Sequence, residues 1–220
     1  MIKTKAVVFD AYGTLFDVNS AAEKCKDKIG AKWETFANFW RTTQLEYTWL
    51  RSLMKRHKNF LGITEDSLDK SMKVFNINKN MQNELLSLYK ILSPYPEVKS
   101  VLKDLKKKNF KLAILSNGTP DLLNELVESN NLNNLFDDLF SVEEVKIYKP
   151  DPKVYKLPIE KYKIKPDEVT FLSANTWDVS GGGNFGYNSI WVNRHNSVFD
   201  ILDFQPKNEI SNLTQLLDIV

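Results

Sequence analysis

Short apolar runs recur along this chain at 6–9, 112–115, 139–142, 169–172 and 189–192. Each is too short to be a helix of its own, and after the third the connecting stretches read as single helices. Apolar runs of this length suit strands covered on both faces. Strand and helix in alternation predict an α/β fold, a Rossmann-like and mainly parallel sheet with helices on either side.

The interval after the first run departs from that rhythm. From about Asn19 to Leu92 the pattern is helical throughout. Over 33–54 the apolar residues Phe36, Trp40, Tyr47, Leu50 and Met54 fall three, four or seven apart with no Gly or Pro, which predicts one long amphipathic helix. Thr64-Glu65-Asp66 reads as the opening of a second helix and 80–92 as a third, before Pro94 and Pro96 close the block. The expected organisation is a core domain of residues 1–15 plus 95–220 and an inserted helical cap subdomain of residues 16–94. Beyond Pro96, Val98, Val101, Leu102 and Leu105 mark a helix face, and Thr119-Pro120-Asp121 is a helix start with a capping hydroxyl.

Composition narrows the class. An apolar fraction of 42% supports a real core, and 30 Lys and Arg against 28 Asp and Glu leave only +2, which predicts neither a nucleic-acid nor a membrane partner. The single cysteine, Cys25, forbids an internal disulfide and reads as an inert cap or surface thiol. No apolar leader precedes a cleavage site, so the expected location is cytoplasmic. His57 and His195 fall outside every motif and read as solvated. Gly181-Gly182-Gly183 reads as a place of close backbone packing.

Chemistry gathers where the predicted strands end. Asp10 closes the first run and is followed by Ala11-Tyr12-Gly13-Thr14; Ser116-Asn117-Gly118 follows the second; Lys149 precedes Pro150; Ser173, Asn175 and Asp178 follow the fourth. Open α/β sheets place reactive groups at the carboxyl edge of their strands. A lysine beside Asp10 would keep that carboxylate ionised, as a nucleophilic carboxylate requires.

Asp10-x-x-Gly-Thr, Ser116-Asn117-Gly118, Lys149-Pro150 and the Asp178 segment together resemble the haloacid dehalogenase (HAD) superfamily across essentially the whole chain. The stretch from Phe9 to Val18, Trp40-Arg41 with 44–51, and Ser173-Ala174-Asn175-x-Trp177-Asp178 resemble more narrowly the L-2-haloacid dehalogenases. The resemblance implies a HAD-like fold and hydrolysis of short-chain L-2-haloalkanoic acids to D-2-hydroxyalkanoic acids with inversion, through an ester on Asp10. It implies that Asp178, with Ser173 and Asn175, orients the water that resolves the ester. Arg41 and Asn117 match the halide-side residues; Thr14, Ser116 and Tyr155 match carboxylate-binding and hydroxyl positions; Ala11 and Tyr12 border the site. Leu45, Phe60 and Trp177 match the apolar lining. The partners implied are the haloacid, water and a second copy paired through cap helices.

Two positions separate this chemistry from its main rival, a magnesium-dependent phosphatase on the same fold. An alkoxide leaving group needs an acid, supplied in phosphatases by an Asp where this chain has Tyr12, whereas halide leaves unprotonated. The phosphatase metal site uses an acidic residue where this chain has Ser173, so no catalytic metal and no cofactor is expected. A non-catalytic helper on the same scaffold is the second rival, disfavoured by the intact set Asp10, Arg41, Lys149 and Asp178.

Overall fold

The computed structural model describes residues 3–220. In chain order the elements are β1 (Ala6–Phe9), α1 (Ser20–Lys24), α2 (Lys26–Ile29), α3 (Trp33–Leu53), α4 (Phe60–Phe75), α5 (Gln82–Lys90) and α6 (Val98–Lys107). There follow β2 (Lys111–Ser116), α7 (Pro120–Ser129), β3 (Asp138–Ser141), α8 (Pro152–Tyr162), β4 (Val169–Ser173), α9 (Thr176–Phe185), β5 (Asn188–Val192) and β6 (Asn208–Ile210).

The strands form one six-stranded sheet in the order β3-β2-β1-β4-β5-β6, every neighbour parallel. This is the doubly wound order, whose direction of progression reverses between β1 and β4. β1 and β4 are buried along their whole length, as central strands covered on both faces must be. The sheet register sets Phe9 beside Leu172 and Ile114, so Asp10 emerges in the crevice at the reversal point. Val98, Val101, Leu102 and Leu105 bury the inner face of α6. Thr119 Oγ1 accepts from Leu122 N at 3.3 Å and Pro120 sits in the first turn, so α7 starts where its cap signals place it.

Helices α1 to α5 lie between β1 and β2, and an antiparallel bridge between Phe16 and Pro94 brings the two ends of that insertion together. Among the described residues no helix is long and apolar enough to cross a membrane.

Several local expectations are corrected. α4 begins at Phe60, because Asn59 Oδ1 accepts from Gly62 N at 2.9 Å; Thr64 lies inside the helix and its hydroxyl bonds back to the Phe60 carbonyl at 2.8 Å. The apolar face predicted for α3 holds at Phe36 and Trp40 but leaves Leu50 and Met54 exposed, since Thr43, Gln44 and Thr48 complete the buried stripe instead. Beyond the runs named above, β6 adds to the sheet edge through Asn208, Glu209 and Ile210, a segment too short and polar to read as a strand. Cys25 is buried, and His57 is packed, not solvated: it stacks on Tyr148 and its Nε2 lies 3.1 Å from Glu143. The three glycines do pack closely. A Cβ on Gly181 would lie 2.5 Å from the Tyr155 hydroxyl, one on Gly182 2.7 Å from Phe171, and one on Gly183 would collide with Phe204.

Candidate active site

β1 ends in a tight turn that fixes Asp10. Gly13 takes φ +89°, a conformation in which a side chain is strained, and the Ala11 carbonyl accepts from the backbone N–H groups of Leu15 at 3.0 Å and Phe16 at 3.1 Å. The turn folds Thr14 back so that its hydroxyl donates to Asp10 Oδ2 at 3.0 Å and accepts from Ala174 N at 2.8 Å. Asn175, the residue capping the start of α9, makes no side-chain cap and donates its amide to Asp10 Oδ2 at 2.9 Å and to the Tyr12 carbonyl at 3.2 Å. Ser173 Oγ lies 3.5 Å from the same oxygen, too far for a strong bond, and accepts from Asn175 N at 3.1 Å.

The other carboxylate oxygen, Oδ1, receives Lys149 Nζ at 3.1 Å. The same ammonium donates to Asp178 Oδ2 at 2.9 Å and lies 5.2 Å from the centre of the Phe171 ring. Burial pulls the Lys149 ammonium down, but Asp10 and Asp178 outweigh it and the net shift is upward, so the group stays protonated. Burial raises the Asp178 carboxyl, Lys149 opposes that and Asp10 adds to it; the result is a value pushed up to about 6. The Tyr155 hydroxyl donates to Asp178 Oδ1 at 2.7 Å. Burial and the adjacent Asp178 drive that phenol well above its ordinary range, leaving it a permanent donor. Tyr155 is therefore tied to the site through Asp178.

From β2, Ser116 Oγ accepts from Gly118 N at 3.0 Å, shaping the loop, and Asn117 Oδ1 accepts from Lys149 N at 3.2 Å, tying that loop to the lysine's backbone. From the insertion, Arg41 on α3 reaches to 3.5 Å of the Tyr12 carbonyl and donates to Gln44 Oε1 at 2.9 Å. The Tyr12 ring is buried between Phe60 at 5.3 Å and Tyr89 at 5.6 Å. Burial raises its phenol far above neutrality, so it supplies no acid at neutral pH beyond a fixed hydroxyl. Trp177 meets Trp49 of α3 edge to face at 5.4 Å. Leu45, one turn after Arg41, is half-buried and stands apart from the main apolar core.

The structure thus gathers Asp10, Thr14, Lys149, Ser173, Asn175 and Asp178 into one bonded cluster, with Arg41 approaching from the insertion. It also brings in residues for which the sequence suggested no role. Gln44 and Trp49 lie inside the 44–51 stretch and share the α3 face of Arg41, a signal available in their spacing. Tyr89, and Arg194, whose Nη2 donates to the Thr14 carbonyl at 2.8 Å, come from distant segments and carried no local signal.

Residues 4–186 match the sequence profile of the haloacid dehalogenase-like hydrolases. The (S)-2-haloacid dehalogenase 1 of Pseudomonas sp. (strain CBS-3) is 40% identical over 214 residues, covering 96% of this chain and 94% of that protein. The fold superposes on a dehalogenase crystal structure with an intermediate complex at TM-score 0.98 and 34% identity, covering 100% of this chain and 98% of the other. It also matches the L-2-haloacid dehalogenase from Xanthobacter autotrophicus with chloropropionic acid covalently bound, at TM-score 0.92 and 32% identity over 98% of each chain. On sequence and structure alike, this chain belongs to the haloacid dehalogenase-like hydrolases and, within them, to the (S)-2-haloacid dehalogenase family.

Proposed function

We propose that this protein hydrolyses short-chain L-2-haloalkanoic acids to D-2-hydroxyalkanoic acids. The observation that carries the reading is Asp10, paired with the Lys149 ammonium at 3.1 Å, with Asp178 on the far side of the same ammonium at 2.9 Å. An Asp10 oxygen attacks C2 in line with the carbon–halogen bond; the C–O bond forms as the halide leaves with the bonding electrons, and C2 inverts. Water then attacks the carboxyl carbon of the Asp10 ester, giving one proton to Asp178. Collapse of the oxyanion expels the C2 alkoxide, which takes that proton, and Asp10 returns to its carboxylate as a second proton goes to solvent. Ser173 and Asn175 hold the ester side of this water's position, and Tyr155 holds Asp178. Arg41 and Asn117 face the departing halide, Thr14 and Ser116 with the backbone after Asp10 receive the substrate carboxylate, and Ala11, Tyr12, Leu45, Phe60 and Trp177 border its alkyl group.

The charge beside Asp10 is supplied by the ammonium of Lys149, which lies between Asp10 and Asp178, and Ser173 stands where the phosphatase metal site uses an acidic residue. The named relatives act on haloacids, which removes the support for the magnesium-dependent phosphatase. Residues 16–94 act as the cap over a core of 1–15 and 95–220. Pairing of two copies through the cap helices is consistent with Leu50, Leu53 and Met54 lying exposed at the end of α3.

The test is release of chloride from (S)-2-chloropropionate in EDTA, with Asp10→Asn as the control. Release by the native protein and none by a folded Asp10→Asn is the expected result. Turnover confined to a phosphoester with magnesium would overturn the reading.

A further inference from the structure

Among the described residues a single long hydrogen bond, 3.5 Å to the Tyr12 carbonyl, ties the Arg41 side chain to the core. An arginine so loosely held has several rotamers open to it and would spend much of its time aimed elsewhere. Its firm bond is to Gln44, three residues along α3, at 2.9 Å. Gln44 is 1% exposed, and every polar atom of its amide is engaged. Oε1 takes Arg41 Nη1 and the Tyr89 hydroxyl at 3.2 Å; Nε2 donates to Thr64 Oγ1 at 2.7 Å and to the Tyr89 oxygen at 3.1 Å.

Proton inventory leaves this amide one orientation. Thr64 spends its hydroxyl proton on the Phe60 carbonyl at 2.8 Å and must accept from Gln44, so the amide nitrogen faces α4. Arginine has no acceptor, so the amide oxygen must face Arg41. Burial raises the Tyr89 phenol, which keeps the proton it gives to Oε1. Gln44 is therefore anchored in α4 through Thr64 and in α5 through Tyr89, and Tyr89 in turn stacks at 5.6 Å on Tyr12, two residues after Asp10. Beside the group lies a cavity of about 10 Å³ lined by Arg41, Gln44, Tyr89, Trp40, Ala37 and Val18, room for at most one water.

We propose that Gln44 is a positioning residue for halide displacement: by fixing the Arg41 guanidinium on a buried, fully bonded amide, it aims that cation at the leaving halogen. The inference rests on the haloacid reading above. An arginine aimed at the leaving group stabilises charge that grows only as the carbon–halogen bond breaks, and a poorer leaving group depends on it more. Loss of aim should then separate chloride from bromide, which loss of general structure does not.

The experiment measures single-turnover halide release, so that ester hydrolysis does not mask the first step, on (S)-2-chloropropionate and (S)-2-bromopropionate. Gln44→Met keeps the length and removes the acceptor; chloride release should slow by at least about tenfold, with the bromide-to-chloride rate ratio rising several-fold. Gln44→Glu restores an acceptor for Arg41 and should bring the ratio back toward that of the native protein. Tyr89→Phe, which keeps the ring stack, should shift the ratio the same way by a smaller factor, and it serves if Gln44→Met does not fold. Equal slowing on both substrates across these variants, or an unchanged ratio in a folded Gln44→Met, overturns the inference. A native protein releasing neither halide would instead overturn the haloacid reading itself.

Discussion

Lys149 Nζ has exchanged its water for Asp10 at 3.1 Å, Asp178 at 2.9 Å and the face of Phe171, and it has no exposed surface left. The pairing is what lets two carboxylates share so dry a space. Replacing Lys149 with Met would leave them facing one another uncompensated, a cost of about 3–5 kcal/mol for a broken buried pair. The carboxylates can relieve part of it by binding a proton. Asp178, already raised to about 6 with the lysine present, would rise further without it. A carboxyl whose folded pKa is raised contributes its stability below the unfolded value, about 4, and loses it as pH climbs through the folded value. The stability deficit of Lys149→Met against the native protein, measured by urea unfolding, should therefore widen from about pH 5 to about pH 8, and halide release should be lost throughout. A deficit that stays constant across that range would mean that the two carboxylates are not electrostatically coupled.

At the level of elements, the α8–α9 packing holds Asp178 in place through its backbone as much as through its bonds. Gly181 brings α9 so near α8 that a Cβ there would meet the Tyr155 hydroxyl at 2.5 Å and Pro150 Cβ at 2.8 Å. The hydroxyl cannot retreat without abandoning Asp178 Oδ1 at 2.7 Å. Gly181→Ala should destabilise the fold by about 1–3 kcal/mol and slow ester hydrolysis more than halide release, since overpacking displaces the water-side carboxylate. Urea unfolding with burst and steady-state halide release checks both halves; an unchanged burst-to-steady ratio would detach Tyr155 from that role. The same elements show what a sequence makes legible. β1, β2 and β4 stood out because a strand buried on both faces must be an unbroken apolar run, and α7 because its cap chemistry is local. β6 did not, since only Ile210 of its Asn-Glu-Ile is buried. The start of α4 was misplaced because Thr64 followed by acids imitates a cap, while the true one, Asn59, follows an unpatterned basic stretch. Asp10, Ser116 and Ser173 could be set at strand ends from local pattern alone. The bonds of Gln44 to Tyr89, 45 residues away, and of Arg194 to Thr14, 180 residues away, depend on tertiary contacts that no spacing encodes.

Across the whole molecule, the insertion closes on the sheet through a few contacts that also bound the crevice: Arg41 against the Tyr12 carbonyl, the Tyr148 hydroxyl donating to the Lys58 carbonyl at 2.6 Å, and Trp49 against Trp177. Trp177 has a second neighbour. On its outer side lies a mainly apolar cavity of about 490 Å³, walled by Trp177 itself with Pro150, Pro152, Phe185 and Leu202. Trp177, next to Asp178 in the chain, thus lines a space large enough for an alkyl chain. Trp177→Ala should open that space to the substrate. Each methylene removed from water is worth about 0.8 kcal/mol, so the three that distinguish 2-chlorohexanoate from 2-chloropropionate would together gain at most about 2.4 kcal/mol, or roughly sixtyfold. The loss of the Trp49 contact loosens the closure and lowers kcat/KM for both acids. The ratio of kcat/KM for 2-chlorohexanoate to that for 2-chloropropionate is therefore the informative quantity, and it should rise several-fold or more. If both acids fall by the same factor, Trp177 serves only to hold the two parts of the chain together, and chain length is limited elsewhere.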